Sequence, residues 1–321
     1  MKTHALIGPL AAALGLCLSL SVVGTSYAAS PAVQAVVANV GLLPNAETAA
    51  IRLGDKKGFF KDAGIDLKIT DTSSGAAAIT ALIAGQFDIV FANTVSVMQG
   101  RDKGLPLVMI DAASTSTGVP GKDFSALVVS SKNTMKSAKE LSGKTIASNT
   151  VKNIGEVTAR ISVQKAGGDG ATVKVVEMPF SNMEQALEEG QIDAAWMVEP
   201  FHTTAVQHGL RDIASNYVDT APHLTAAAFV STDGVVKKKA DMIQRFRTAM
   251  AKTAEYANSH PTEIRELIPT FTKITPAIAE AFVIPRYDAA VNVASLEAML
   301  PEMRRLDMIS KTFKVESVIY K

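Results

Sequence analysis

The chain has 321 residues, with 32 basic against 31 acidic side chains and 47 % hydrophobic residues. A net charge of +1 excludes a surface field able to hold a nucleic acid or an anionic membrane. The one cysteine, Cys17, stands in an apolar leader, so the rest of the chain has no disulfide, thiolate metal site or cysteine nucleophile.

The leader begins with the positive Lys2, continues through the apolar run Ala5 to Val23, and ends in Ser26-Tyr27-Ala28, with small residues where a signal peptidase reads. A membrane anchor is the rival reading, but Gly8, Pro9, Gly15 and Gly24 interrupt the run. Leu16, before Cys17, stands where lipid attachment would need a small residue. The pattern predicts a signal peptide over residues 1–28 and a soluble, exported product about twice the length of a typical domain.

Val33 to Val40 reads as a strand, closed by the loop Gly41 to Asn45, and Ala46 to Lys57 as a helix stopped by Gly58. Ile65 to Ile69 is a strand, Ala76 to Ala84 a helix, Phe87 to Phe91 a strand, Thr94 to Gly100 a short helix and Leu107 to Ile110 a strand. The rhythm repeats with strands at Ala126 to Val129, Thr145 to Ala147, Val173 to Val176 and Ile192 to Met197, a helix opened by Asn153, and a helix over Asn182 to Glu189. Leu224 to Ser231 reads as a returning strand. Beyond it the chain is helical over Asp241 to Ala257 and then cut into short helices by Pro261, Pro269, Pro276, Pro285 and Pro301. The alternation predicts an α/β fold with mostly parallel sheets covered by helices.

One internal match goes further. Ala81-Leu82-Ile83-Ala84-Gly85-Gln86-Phe87-Asp88 recurs as Ala186-Leu187-Glu188-Glu189-Gly190-Gln191-Ile192-Asp193, five identities in eight. Many helix-to-strand joints end on glycine, yet this match favours two halves of the same architecture.

Ligands of open parallel sheets bind beyond the carboxyl ends of the strands. That rule selects Pro44 and Asn45, Ser73, Ser74 and Gly75, Asn93 and Thr94, and Ser116 in the first half; in the second it selects the stretch from Asn149 to Asn153 with Ile154, Phe180 to Asn182, and Glu199. Counting from Gly85 and Gly190 makes Asn93-Thr94 and Val198-Glu199 equivalents on opposite walls of one cleft. Glu199 would suit an amine or ring N–H, and the Ser73 to Gly75 and Asn153 turns could cradle an anion or simply cap helices. Trp196 could stack on a planar ligand or face the core. Alanine at Asn93 or Glu199 is expected to abolish stabilisation by ligand without lowering the melting temperature of the free protein.

Catalytic and metal readings are thin: His202 and His208 are six apart, and His223 and His260 lack a partnered motif. There is no phosphate loop, nucleophile elbow or dinucleotide fingerprint, so no cofactor and no metal is expected.

The stretches Asp55 to Ile65, Gly85 to Val90, Lys139 to Ala147 and Asp193 to Phe201, in this order, resemble the ABC-transporter substrate-binding proteins of the nitrate, sulfonate and taurine type, a group that also takes thiamine-precursor pyrimidines. The resemblance implies a type II periplasmic binding protein. Its two lobes close over a small ligand by a hinge, lobe 1 comprising residues 29–115 and 225–321 and lobe 2 residues 116–224. It implies a monomer in the periplasm that serves an inner-membrane permease and ATPase, with Pro44-Asn45, Ser73 to Gly75, Asn93-Thr94 and Asn153-Ile154 at the ligand. An anion or heterocycle of sulfonate, taurine, aromatic carboxylate or pyrimidine type is the expected cargo; a periplasmic enzyme or a sensor domain on the same scaffold is the alternative.

Overall fold

The computed structural model describes residues 35–321, and the leader with its cleavage site lies outside the described residues. The strands are β1 (Val36–Leu42), β2 (Ile65–Asp71), β3 (Ile89–Asn93), β4 (Leu107–Thr115), β5 (Ser125–Val129), β6 (Thr145–Ser148), β7 (Lys174–Glu177), β8 (Ala194–Val198), β9 (Arg211–Ala214) and β10 (Thr225–Thr232). They form two five-stranded sheets, ordered β2-β1-β3-β10-β4 and β7-β6-β8-β5-β9.

The two orders are the same pattern. In the first sheet β1 is parallel to β2 and β3, and β10 is antiparallel to both its neighbours; in the second β6 is parallel to β7 and β8, and β5 is the reversed strand. Each reversed strand is the one that has just crossed from the other sheet. The chain leaves β4 at the carboxyl edge, crosses through residues 116–124, and enters the second sheet from that sheet's carboxyl edge, so β5 must run backwards; β10 repeats this on the return.

Helices α1 (Ala49–Lys56) and α2 (Phe59–Asp62) link β1 to β2, α3 (Gly75–Ile83) links β2 to β3, and α4 (Thr94–Asp102) links β3 to β4. In the second sheet α5 (Ile154–Lys165), α6 (Phe180–Glu188), α7 (Phe201–Gln207) and α8 (Asn216–Thr220) fill the successive connections. After β10 come α9 (Asp233–Lys238), α10 (Ala240–Ser259), α11 (Pro261–Leu267), α12 (Pro276–Ala281), α13 (Val293–Glu297) and α14 (Leu300–Arg305). The long α10 buries Ile243, Phe246 and Met250 against Ile51 of α1, Phe60 of α2 and Phe229 of β10. Met183 and Leu187 of α6 pack on the second sheet with Ala195 and Met197. From the C-terminal helices, Glu302 of α14 accepts a hydrogen bond from Gln164 of α5 at 2.9 Å.

The repeated octapeptide is one device used twice. Gly85 and Gly190 adopt φ of +76° and +69°, the left-handed region that a side chain would strain. Gln86 N–H donates to the Ala81 carbonyl at 3.0 Å, and Gln191 N–H to the Ala186 carbonyl at 2.9 Å, which closes each helix in the same way. Asp88 and Asp193 then bind the neighbouring strand: their carboxylates accept Asn39 N–H at 3.1 Å and Thr145 N–H at 2.8 Å.

Helices α7, α8 and α9 are not predicted by the sequence pattern, and two strands also depart from it. β4 runs to Thr115 rather than ending at Ile110, because Asp111 is held inside the fold by Arg247, whose Nε donates to it at 3.2 Å. The strand β9 was not expected: its Arg-Asp-Ile-Ala sequence has no apolar alternation, and it forms because Arg211 binds the Asn133 carbonyl while β5 supplies the ladder.

Candidate functional site

The carboxyl ends of β1, β2 and β3 and those of β6, β7 and β8 converge on one cleft. An inner cavity of about 40 Å³ is lined by Asn45, Glu47, Gly75, Phe91 and Asn93 from the first sheet's loops, and by Asn149, Ile154, Phe180, Trp196, Val198 and Tyr217 from the second side. An adjoining cavity of about 320 Å³ shares Leu43, Asn45, Asn149, Phe180 and Val198 with it, and adds Pro44, Thr72, Ser73, Ser74 and Phe201.

The residues selected from sequence divide by the direction of their side chains. Pro44, Asn45, Ser73, Ser74, Gly75, Asn93, Ile154 and Trp196 line one or both cavities. Ser74 and Asn93 also cap helices, their side chains accepting Ala77 N–H at 3.1 Å and Ser96 N–H at 2.9 Å. Thr94, Ser116, Asn153 and Glu199 are buried, and their side chains are bonded to other protein groups. The Thr94 hydroxyl donates to the Thr225 carbonyl at 3.1 Å, and Ser116 to Asp123 at 2.7 Å. Asn153 accepts Glu156 N–H at 3.1 Å and donates to Asn149 at 2.7 Å.

Glu199 follows β8 and is fully enclosed. Its carboxylate accepts Thr203 N–H at 3.0 Å, the Thr203 hydroxyl at 2.8 Å and Val283 N–H at 3.1 Å, and it faces His202 Nδ1 at 3.3 Å. His202 Nε2 meets Asp212 at 2.8 Å. Burial would discharge this imidazole, but the hydrogen bonds and charges of Asp212 and Glu199 outweigh it and push His202 up to about 10. The arrangement is an ion-pair clamp. Among the described residues no group of three His, Cys, Asp or Glu side chains is placed to hold a metal ion.

Trp196 is packed into the second wall, where its indole N–H donates to Ser125 at 2.8 Å, and its ring also borders the inner cavity. Phe180 lies 5.4 Å from it and Tyr217 6.3 Å, centroid to centroid. Gly155 makes this packing possible, since a Cβ there would stand 2.1 Å from the indole ring.

Glu47, Phe91 and Tyr217 went unselected. Glu47 looks in the sequence like an ordinary acidic residue in a first helical turn, and the loop after β1 instead turns it inward. Burial raises its carboxyl to about 7, against the opposing hydrogen bonds from Ser114 and Asn45 and with the charge of Asp123 adding to the rise. Its place two residues after the loop's Asn45 was the available signal; Tyr217, on the short α8, gave none.

A model of the NMT1/THI5-like family matches residues 45–264. The chain belongs to the NMT1/THI5-like family. Relatives of this NMT1/THI5-like chain include a protein of Brucella abortus (strain 2308) named as a binding protein, 23 % identical over 73 % of this chain and 70 % of its own length. Among solved structures, the ligand-binding component of an ABC-type import system from Staphylococcus aureus superposes with a TM-score of 0.75 at 13 % identity, over 88 % of this chain and 96 % of that one. The alkanesulfonate-binding protein SsuA from Xanthomonas axonopodis pv. citri, bound to MOPS, gives 0.72 at 16 % identity, over 91 % and 99 %. The family resemblance read from the sequence and the periplasmic-binding-protein fold are both borne out by these matches.

Proposed function

We propose that this protein is the solute-capturing component of an ABC-type importer, working as a monomer outside the cytoplasmic membrane once its leader is removed and delivering cargo to a permease and ATPase. Its lobes are residues 29–115 with 225–321 and residues 116–224, closing on each other through the two crossings. The observation that carries the reading is the convergence of six parallel-strand ends, three from each sheet, on one cleft. Its adjoining cavity of about 320 Å³ is within the range of small-molecule sites. The names of the relatives and structural neighbours support the same role.

The site residues we assign are Asn45, Ser73, Ser74, Gly75, Asn93, Ile154, Phe180 and Trp196, with Glu47 and Tyr217 added from the cavity lining. The described residues lining the two cavities include no lysine or arginine, which disfavours a sulfonate or carboxylate cargo and favours a planar heterocycle. The leaderless protein, screened by thermal shift against sulfonates, aromatic carboxylates and pyrimidines, should be stabilised by one class in proportion to affinity. Steady chemical conversion of a bound compound would instead make the protein an enzyme and end this reading.

A further inference from the structure

Glu47 is a buried carboxylate whose two hydrogen-bond donors are both neutral: the Ser114 hydroxyl at 2.6 Å and the Asn45 amide nitrogen at 2.9 Å. Buried carboxylates are ordinarily matched by a cation, and desolvation is costly where none is present. A second acceptor stands beside it. The Asn45 side-chain oxygen is buried with no donor, and turning the amide over would set that oxygen against the Glu47 carboxylate instead. Asn45 and Glu47 line the same inner cavity. The amide of Asn93 supplies nothing further, since both its ends are engaged with Ser96. Across the cavity stand aromatic side chains, Phe180, Trp196 and Tyr217, whose ring faces attract positive charge.

Resting on the solute-binding reading above, the geometry points to a planar organic cation as cargo, carrying at least two N–H donors of the amidinium, guanidinium or protonated amino-heterocycle class. Its N–H edge meets Glu47 and Asn45, its face lies on Trp196, and the rest of the molecule extends into the outer cavity. Cation binding supplies the missing counter-charge, and so requires Glu47 ionised. The other titratable groups facing Glu47 are Asp123, Tyr217 and Tyr287. Asp123 opposes that ionisation, and burial keeps both phenols neutral, so Glu47 is the group that gates binding from acid to neutral pH.

The test uses the leaderless protein, benzamidine as the amidinium probe, and benzenesulfonate and benzoate as anionic probes of the same ring. Trp196 is the only tryptophan of the chain, so its emission reports the cleft. Benzamidine should change that emission at about pH 8 and bind at least roughly tenfold more weakly at about pH 5.5, where Glu47 is protonated. Glu47→Gln should weaken it by a similar factor at about pH 8 while leaving little further dependence on pH. Because removing an unpaired anion relieves the free protein, Glu47→Gln should also melt higher than wild type at about pH 8 and like it at about pH 5.5. Failure of benzamidine to bind at millimolar concentration, tighter binding of either anion, or an unchanged affinity in Glu47→Gln would overturn the cation inference. Failure of the importer reading would look different: the small-molecule fraction of a cell extract would leave the protein's melting temperature where it was.

Discussion

Replacing Glu199 by alanine tests the clamp behind the cleft. The truncation removes the acceptor of Thr203 N–H, of the Thr203 hydroxyl and of Val283 N–H, and leaves the His202 imidazolium with Asp212 alone. Val283 follows Phe282, which is buried with Ala49, Leu53 and Ala257 of α1 and α10, so the bond ties the second sheet's loop to helices on the first. Breaking an enclosed pair by removing one partner costs about 3–5 kcal/mol, and orphaned donors lie within that range. At roughly 2 °C per kcal/mol for a chain of this size, the free protein should melt about 6–10 °C lower. Glu199→Gln keeps one acceptor oxygen and should recover part of the loss. Calorimetry of the leaderless protein measures both. A fall of less than about 2 °C in the alanine variant would refute the clamp and restore the expectation, drawn from sequence, that this side chain is free to serve a ligand.

Three further outcomes follow from the same geometry. Gly155→Ala would press a methyl group into the indole of Trp196, costing about 1–3 kcal/mol and shifting the tryptophan emission, which equilibrium unfolding and fluorescence would record. Asp88→Ala should cost more than Asp193→Ala in urea unfolding. Both lose a strand N–H and a lysine partner, but Asp88 is the more buried and holds Lys239 at 2.6 Å, whereas Asp193 holds Lys144 at 3.6 Å. Stability should decline with rising pH in two stages. Glu47 and Asp111 have folded values of about 7 against ordinary values of 4.5 and 3.8. The folded state therefore holds their protons longer, and a penalty of roughly 3–4 kcal/mol each builds from about pH 4 to 7. His202 has a folded value of about 10 against 6.5, so its contribution is complete below about pH 6.5 and is lost as pH rises through 10. Melting curves of Glu47→Gln with Asp111→Asn should lose most of the first stage, the remainder coming from Asp123 and Asp55, which burial also raises, and keep the second.

Position was legible in the sequence where direction was not. The repeated Gly-Gln-x-Asp joints located two equivalent helix-to-strand units, and both halves proved to share one strand order. The strand-end rule therefore selected loops that line the cleft. At the end of a strand, however, neighbouring side chains point to opposite sides. Asn93 borders the cavity while Thr94 is tied to β10, and Val198 borders it while Glu199 turns into the clamp. No spacing in the sequence distinguishes the members of these pairs, because the choice depends on which partner lies behind the wall. Glu47 was hidden for the converse reason: its apparent helix begins as a short 3-10 turn over Ala46–Thr48, which directs the carboxylate toward Ser114 rather than solvent.

Hydrogen exchange with and without bound solute bears most directly on the cleft. If the solute is held between the two sheets, backbone amides of the loop 43–48 and of the loop 149–155 should gain protection together, at the same solute concentration. Protection on one of these walls alone, or confined to the surface of α9 and α10, would contradict capture between the lobes.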